Sequence, residues 1–485
     1  MAQQHEDTAA AKTEKQKVKD GVYWQGDFPD DITFLHDSYY GTGGYKYGDY
    51  LVPHPREVVE KYSRRKFMAY YTNYVQPCVD SYVNPIYREA PSREYKGNAL
   101  FDAFLLNVDG GGTGINRFMK TLALEAKLYG GALVVLDNYA EPSESREDAL
   151  KNRRFPFAYI VRPNQVTEWV QDRYGNLIKI SYRLTYSEIV DNNARNTSDT
   201  WTWTDETWSR ETNGIKTEGI NALGKIPVIP LYGNLKDDET QTTTVTILCE
   251  RERKTMFPQS AYYQIARCNL AIYNACSELR ERNRGQAFSI LAYPIADQDD
   301  FEVAQEAISG TSNMMLVRGS AGMPQYIDPA STPSDILVQE IQFLVQEIYR
   351  MAERANVTGV QAQTSGLSKE WDANVGNQSI ADFANSLEDF EKRLADLFGL
   401  YVGADLDFKV TYNKDYAPPD ISSALAAATQ ALSMQIGGRF DEEVRKSAAR
   451  AMFHDFDDEV LNKVMDDIQN RSEEIDRIKS EEDEE

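Results

Sequence analysis

The sequence predicts an α+β chain of about three compact units, and three observations carry the α+β expectation. Apolar residues recur at helical spacing along four long segments, strict alternation replaces it between Tyr159 and Tyr232, and a short all-helical stretch follows Pro418-Pro419. With 485 residues, 41 % hydrophobic and 11 % aromatic content, the chain can bury real cores.

Residues 1–25 mix Lys with Glu and Asp, have almost no large apolar side chains and read as a mobile tail. From Pro55 a helical aromatic stretch runs through Val58, Tyr62, Met68, Tyr71 and Val75 until Pro77 interrupts it. After the loop Asp109-Gly110-Gly111-Gly112-Thr113-Gly114, a helix bearing Phe118, Leu122, Leu124 and Leu128 leads into the buried strand Ala132 to Leu136. Antiparallel strands follow, with turns at Tyr174-Gly175-Asn176 and Asn213-Gly214; the polar patch Asp191 to Asp199 reads as a surface loop between them.

A long helix is expected from Pro258 to Gly285, about 40 Å in length, ending in Arg280, Arg282 and Arg284, which complement its dipole. Residues 286–328 hold a strand (AFSILAYPI), a short acidic helix (DDFEVAQEAI) and a second strand (NMMLVRG). Thr332 as N-cap, Pro333 and Asp335 open another long helix with Ile336, Leu337, Ile341, Leu344, Val345, Ile348 and Met351. Residues 357–377 contain three glycines and read as an exposed loop. The cleanest amphipathic stripe then begins near Gln378: Ile380, Phe383, Leu387, Phe390, Leu394, Phe398 and Tyr401. A strand (DLDFKVTY) precedes three helices near 420–436, 440–453 and 457–470, and the end of the chain is acidic.

Charge and motif content exclude several function classes. Against 52 basic side chains stand 76 acidic ones, a net charge of −24 that argues against gripping nucleic acid over most of the surface. From Asp455 onward there are 14 acidic and four basic residues, so the acidity is concentrated at one end. Cys78, Cys249, Cys268 and Cys276 form no CxxC pair, which fits a reducing compartment and neither a disulfide framework nor a zinc site. No apolar run approaches the roughly 20 residues of a membrane span, and the first residues lack the apolar core of a signal peptide.

No catalytic constellation is evident, so no enzyme activity, metal or cofactor is expected. The 109–114 loop lacks the GK[ST] of a P-loop and reads as a structural turn. His5, His36, His54 and His454 have no second ligand at metal-binding spacing, and no GxSxG surrounds a serine. Asp297, Asp299 and Asp300 have the chemistry for Mg²⁺ but read as a solvated acidic face, and with Glu302 they become partner-contact candidates only through the resemblance described below. The basic residues Arg251, Arg253, Lys254, Arg267, Arg280, Arg282 and Arg284 either pair within the chain or meet phosphate or an acidic partner.

The order helix, mixed insert, Pro-capped helix, Gly-rich loop and long amphipathic helix resembles the portal proteins of tailed bacteriophages. Similar local phrases include YREAPSREYKGN, LYGGALVVLDN, GKIPVIPLYGN, FPQSAYYQIARCNLAIYNACSELR and SGLSKEWDANVGNQSIADFANSLEDFEKRLADLFGLYVG. The resemblance implies a portal fold: an α+β wing (26–257), stem helices (258–285 and 331–356), a small α/β clip (286–330), a tunnel loop (357–377), a long helix with a return strand to the wing (378–417), and a helical crown (418–470). The acidic tail at 471–485 matches nothing in the family.

It further implies a ring, typically of twelve copies, at one capsid vertex of a virion assembled in the host bacterial cytoplasm. Double-stranded DNA passes through the channel during packaging and ejection. The implied partners are the terminase large subunit, head-tail adaptors, the major capsid protein and a scaffolding protein. Gln361, Gln363, Ser365, Lys369 and Trp371 become candidates to face DNA, with Trp371 alternatively anchoring the loop in protein. A largely acidic wall would let the duplex slide. The competing class is another ring-forming head-to-tail adaptor or tail structural protein, which lacks the helix, insert, helix order; a nucleotide-binding enzyme is the third.

Overall fold

The computed structural model describes residues 30–55, 57–139, 145–172, 176–190, 193–233, 256–286, 290–295, 314–318, 325–327, 332–352, 366–414, 416, 421–434, 437–452 and 463–469. The chain divides into two compact units, Met1–Asp415 and Tyr416–Glu485.

The first unit opens with α1 (Asp31–Tyr40), whose N-terminal donors Ile32 N and Thr33 N are capped by the Asp30 carboxylate. A single turn, α2 (Gly43–Tyr47), follows. The aromatic stretch after Pro55 is two helices, α3 (Val59–Met68) and α4 (Val75–Val83), rather than one ending at Pro77. Pro77 lies in the first turn of α4, where its missing N–H is no loss. The chain breaks earlier, at residues 69–74, because a distant side chain satisfies the break. Fully buried Asn269 accepts from Tyr74 N and from the Tyr71 hydroxyl, and donates to Thr72 O. Tyr71 also stacks on Tyr45 with ring centroids 3.9 Å apart.

After β1 (Ser92–Glu94) and α5 (Ala99–Leu106), α6 (Ile115–Tyr129) runs into β2 (Gly131–Asp137). β2 is buried from Gly131 to Leu136, as its continuous apolar run requires. The corner between α6 and β2 admits no side chain. Gly130 has φ +87°, with the Pro258 carbonyl 2.3 Å from where a Cβ would stand, and the Phe257 ring occupies the same place at Gly131.

A short helix, α7 (Arg146–Lys151), precedes β3 (Phe157–Val161), and β2 is the centre of an antiparallel sheet β3-β2-β9 with β9 at Val228–Tyr232. A second sheet is an antiparallel meander of β4 (Val166–Gln171), β5 (Leu177–Val190), β6 (Asn193–Thr204), β7 (Thr207–Thr212) and β8 (Ile215–Ile220). The two sheets share a core of Leu133, Val135, Val161, Ile180, Tyr182 and Trp203. The β7–β8 turn has Asn213 at φ 52° and Gly214 at φ 83°, the pair of positive values that a tight hairpin demands.

The polar patch before Asp199 differs from the expected loop. Residues 193–199 belong to β6, paired with β5 out to Val190↔Asn193. Buried Asp199 sits there because Arg210 donates to it at 2.9 and 2.6 Å and the Thr212 hydroxyl donates as well.

α8 (Tyr262–Gln286) is the first long helix, about 37 Å by its 25 residues. α9 (Thr332–Met351) packs along it. Between them lies a small sheet in which β10 (Ile290–Ile295) pairs parallel with β11 (Met314–Arg318) and antiparallel with β12 (Gln325–Ile327). β12 is a strand that the periodicity did not reveal; three residues are too few to show alternation. The acidic helix expected between β10 and β11 falls outside the described residues.

α10 (Gly366–Val402) is 37 residues long and begins twelve residues before the stripe that predicts it, so the C-terminal part of the expected 357–377 loop is helix. Leu367, Lys369, Glu370, Trp371 and Ala373 are adequate helix formers, and interior Gly376 costs only about 1 kcal/mol once the buried section has nucleated the helix. β13 (Lys409–Thr411) then returns to pair antiparallel with β1, a shorter strand than DLDFKVTY suggests. In the second unit, α11 (Ile421–Ser433) packs on α12 (Gly438–Met452), and 463–469 is helical.

Candidate interaction surfaces

The 109–114 loop connects α5 to α6 and is closed on itself. Asp109 Oδ1 accepts from Gly111 N (2.8 Å) and Thr113 N (3.1 Å), Asn107 Oδ1 from Gly112 N (2.6 Å), and Val108 N reaches Thr113 O. The backbone donors that a phosphate would need are already occupied by a carboxylate and an amide. Burial acts to raise the Asp109 carboxyl, but hydrogen bonds from Thr113 and Gly111 more than offset it and hold it below its ordinary value.

A carboxylate stabilised in this way strengthens the fold above its unfolded pKa, and the contribution is lost as pH falls through the folded value. Asp109→Ala is therefore expected to lower stability by about 1 kcal/mol at neutral pH. The difference from wild type, read from urea midpoints, should narrow below about pH 4.

The arginines of α8 do not converge. Arg267 lies on an exposed part of α8 beside Tyr263, about 20 Å along the helix from Arg280. The Arg280 guanidinium stands 5.4 Å from the centroid of the Tyr70 ring. One turn on, Arg284 Nη1 lies 2.6 Å from Met68 Sδ. Arg282 points elsewhere, and its Nε is buried without a hydrogen-bond partner. Two of the four are thus committed to the same chain, Arg280 to the α3–α4 connection and Arg284 to the end of α3.

Gln361, Gln363, Ser365, Asp297, Asp299, Asp300 and Glu302, with Arg251, Arg253 and Lys254, lie outside the described residues. Lys369 and Trp371 fall in the first turns of α10. Among the described residues no group of His, Cys, Asp and Glu is placed to hold a metal ion, and no helix is long and apolar enough to cross a membrane.

Two polar clusters escaped the sequence. Glu391, 2 % exposed, accepts two hydrogen bonds from one edge of the Arg93 guanidinium of β1, Nε at 2.7 Å and Nη2 at 2.8 Å, and accepts from the Tyr412 hydroxyl. Burial works against the Arg93 charge, yet the carboxylate more than compensates and holds it above its ordinary value; burial, then Tyr87 and Glu391, push the Tyr412 phenol well up. A charged residue four after Leu387 and three before Leu394, inside an apolar stripe, was the available signal. Buried Lys127 places its ammonium 3.9 Å from the Tyr82 ring and 4.3 Å from that of Phe383, while the Tyr82 hydroxyl donates to Ser379 O. Nothing in the periodicity of α6 marks it.

α9 presents apolar side chains on two sides. Ile348 is buried, and Leu337, Ile341 and Leu344 are half-covered. Ile336 (58 % exposed) and Phe343 (60 %), seven residues apart and so on one face, remain open.

No family model matches the chain, and no curated protein matches it. Among solved structures it is similar to a chain described as "Neck of empty GTA particle computed with C6 symmetry", with 12 % identity over 84 % of this chain and 89 % of that one. The TM-score is 0.41, a likeness too distant to carry an argument.

Proposed function

We propose that the protein is a portal protein of a tailed-phage-like particle: a non-enzymatic ring at one vertex of the capsid through which double-stranded DNA is packaged and ejected. The observation that carries this reading is the helix, three-stranded insert, helix hairpin whose second helix keeps an open apolar face at Ile336 and Phe343. One chain leaves that face uncovered, and a repeated wall of such hairpins covers it.

In this reading α8 and α9 line the channel, the β10–β12 insert is the clip where the terminase and later the adaptors dock, and the segment before and within the start of α10 meets the DNA. The net charge of −24, concentrated toward the C-terminal end of the sequence, suits a conduit that must not hold its cargo. Electron microscopy of the purified chain is the test. Closed rings with a central channel are expected, and monomers at every concentration overturn the proposal.

A further inference from the structure

The β5–β6 hairpin outruns its sheet. β4 accompanies β5 only as far as Val166↔Tyr182, and β7 accompanies β6 only from Asp199↔Thr212 inward. β5 and β6 nevertheless stay paired for six further rungs, from Thr185↔Ser198 to Val190↔Asn193. Among the described residues no third strand flanks those rungs, so a two-stranded ribbon about 20 Å long projects from the middle of the sheet.

Its root is stiff. Asp199 ties Arg210 and Thr212 together, and the Tyr186 hydroxyl donates to the same carboxylate at 3.3 Å. Thr197, opposite Tyr186 at the root, is buried, while Thr185, Ser187, Asn196 and Ser198 are exposed. A free two-stranded ribbon is marginal in water, so this one needs a surface.

The same sheet offers a matching surface. β8 is an outer strand bonded only to β7, and Ile215 and Ile220 at its ends are 73 % and 83 % exposed. The opposite outer strand, β4, carries two register shifts, between Val166 and Glu168 and between Val170 and Gln171; such irregularities disfavour further pairing. The ribbon has no access to its own β8, because that strand lies two places to the side and spans only the rungs of the sheet proper. Donor and acceptor are therefore different surfaces of one chain, the requirement for head-to-tail contact.

We infer that the β5–β6 ribbon is a strap that adds to the β8 edge of the next copy, extending the neighbour's sheet through main-chain hydrogen bonds. The inference rests on the ring reading above and names one contact within it.

The test uses the full chain carrying Ser187→Cys and Thr217→Cys together, with each single variant as the control for native cysteines, treated with a bismaleimide of about 10 Å span, two to three residues of strand. The double variant is expected to give a ladder of covalent multimers, and each single variant none. In parallel, residues 185–198 are replaced by an Asn-Gly turn, which closes the hairpin at the edge of the sheet. That variant should keep its sheet by circular dichroism, and its rings should dissociate on dilution at a concentration at least tenfold higher. Intact rings without a ladder, or rings indifferent to the shortened hairpin, overturn the strap and leave the ring standing. A chain that never rises above monomer overturns both.

Discussion

Glu391→Ala is expected to destabilise the first unit by about 3–5 kcal/mol, the cost of leaving the Arg93 guanidinium buried without its counter-charge. The pair joins residues 298 apart in sequence and holds β1, β13 and α10 together through Arg93, Tyr412 and Glu391. Arg93 Nη1 keeps one remaining partner, Asn116 Oδ1 at 2.6 Å, which does not neutralise it. Replacing both members, Arg93→Met with Glu391→Leu, should recover most of the loss, since an apolar pair of similar volume avoids the desolvation of two charges. Urea unfolding of the three variants measures this. A single variant within about 1 kcal/mol of wild type, in the range of an exposed pair, would show that water reaches the site.

In the ring proposed above, Ile336→Glu with Phe343→Glu should give monomers without unfolding the subunit. Both side chains are open in the single chain, so the folded monomer loses little. In a ring each would lie against a neighbour, where burial of such a side chain contributes about 1.5–3 kcal/mol. Losing two of them, and burying carboxylates in their place, weakens each contact by at least about a hundredfold. Mass photometry checks the outcome alongside circular dichroism. Monomers with an unchanged spectrum are expected; rings that persist would show that α9 faces solvent or lumen instead.

Much of the element order was legible before any coordinates. The apolar stripes of α6, α8, α9 and α10 repeat at helical spacing, the run in β2 is continuous, and Asn213-Gly214 marks its turn, all patterns written within a few residues. Where the expectation was wrong, the deciding partner was remote. The helix after Pro55 breaks at 69–74 because Asn269, almost 200 residues away, satisfies the freed backbone groups. Polar residues 193–199 form a strand because Arg210 and Thr212 supply what Asp199 needs.

The candidate surfaces divide in the same way. Arg280 and Arg284 were visible as the cations of a last helical turn, and only the fold assigns them to Tyr70 and Met68. Ile336 was legible as part of the apolar series of α9, Phe343 was not, and which part of the helix stays uncovered depends on where α8 lies. By itself the sequence determined the helices, the alternating strands, the closed glycine loop and the acidity, because 3.6-residue and two-residue periods, turn chemistry and charge are local properties. Tertiary structure decided the break before α4, the projecting ribbon and the Arg93–Glu391 lock. A buried polar group takes its partner from whatever the fold brings within about 3 Å, and sequence distance does not constrain that choice.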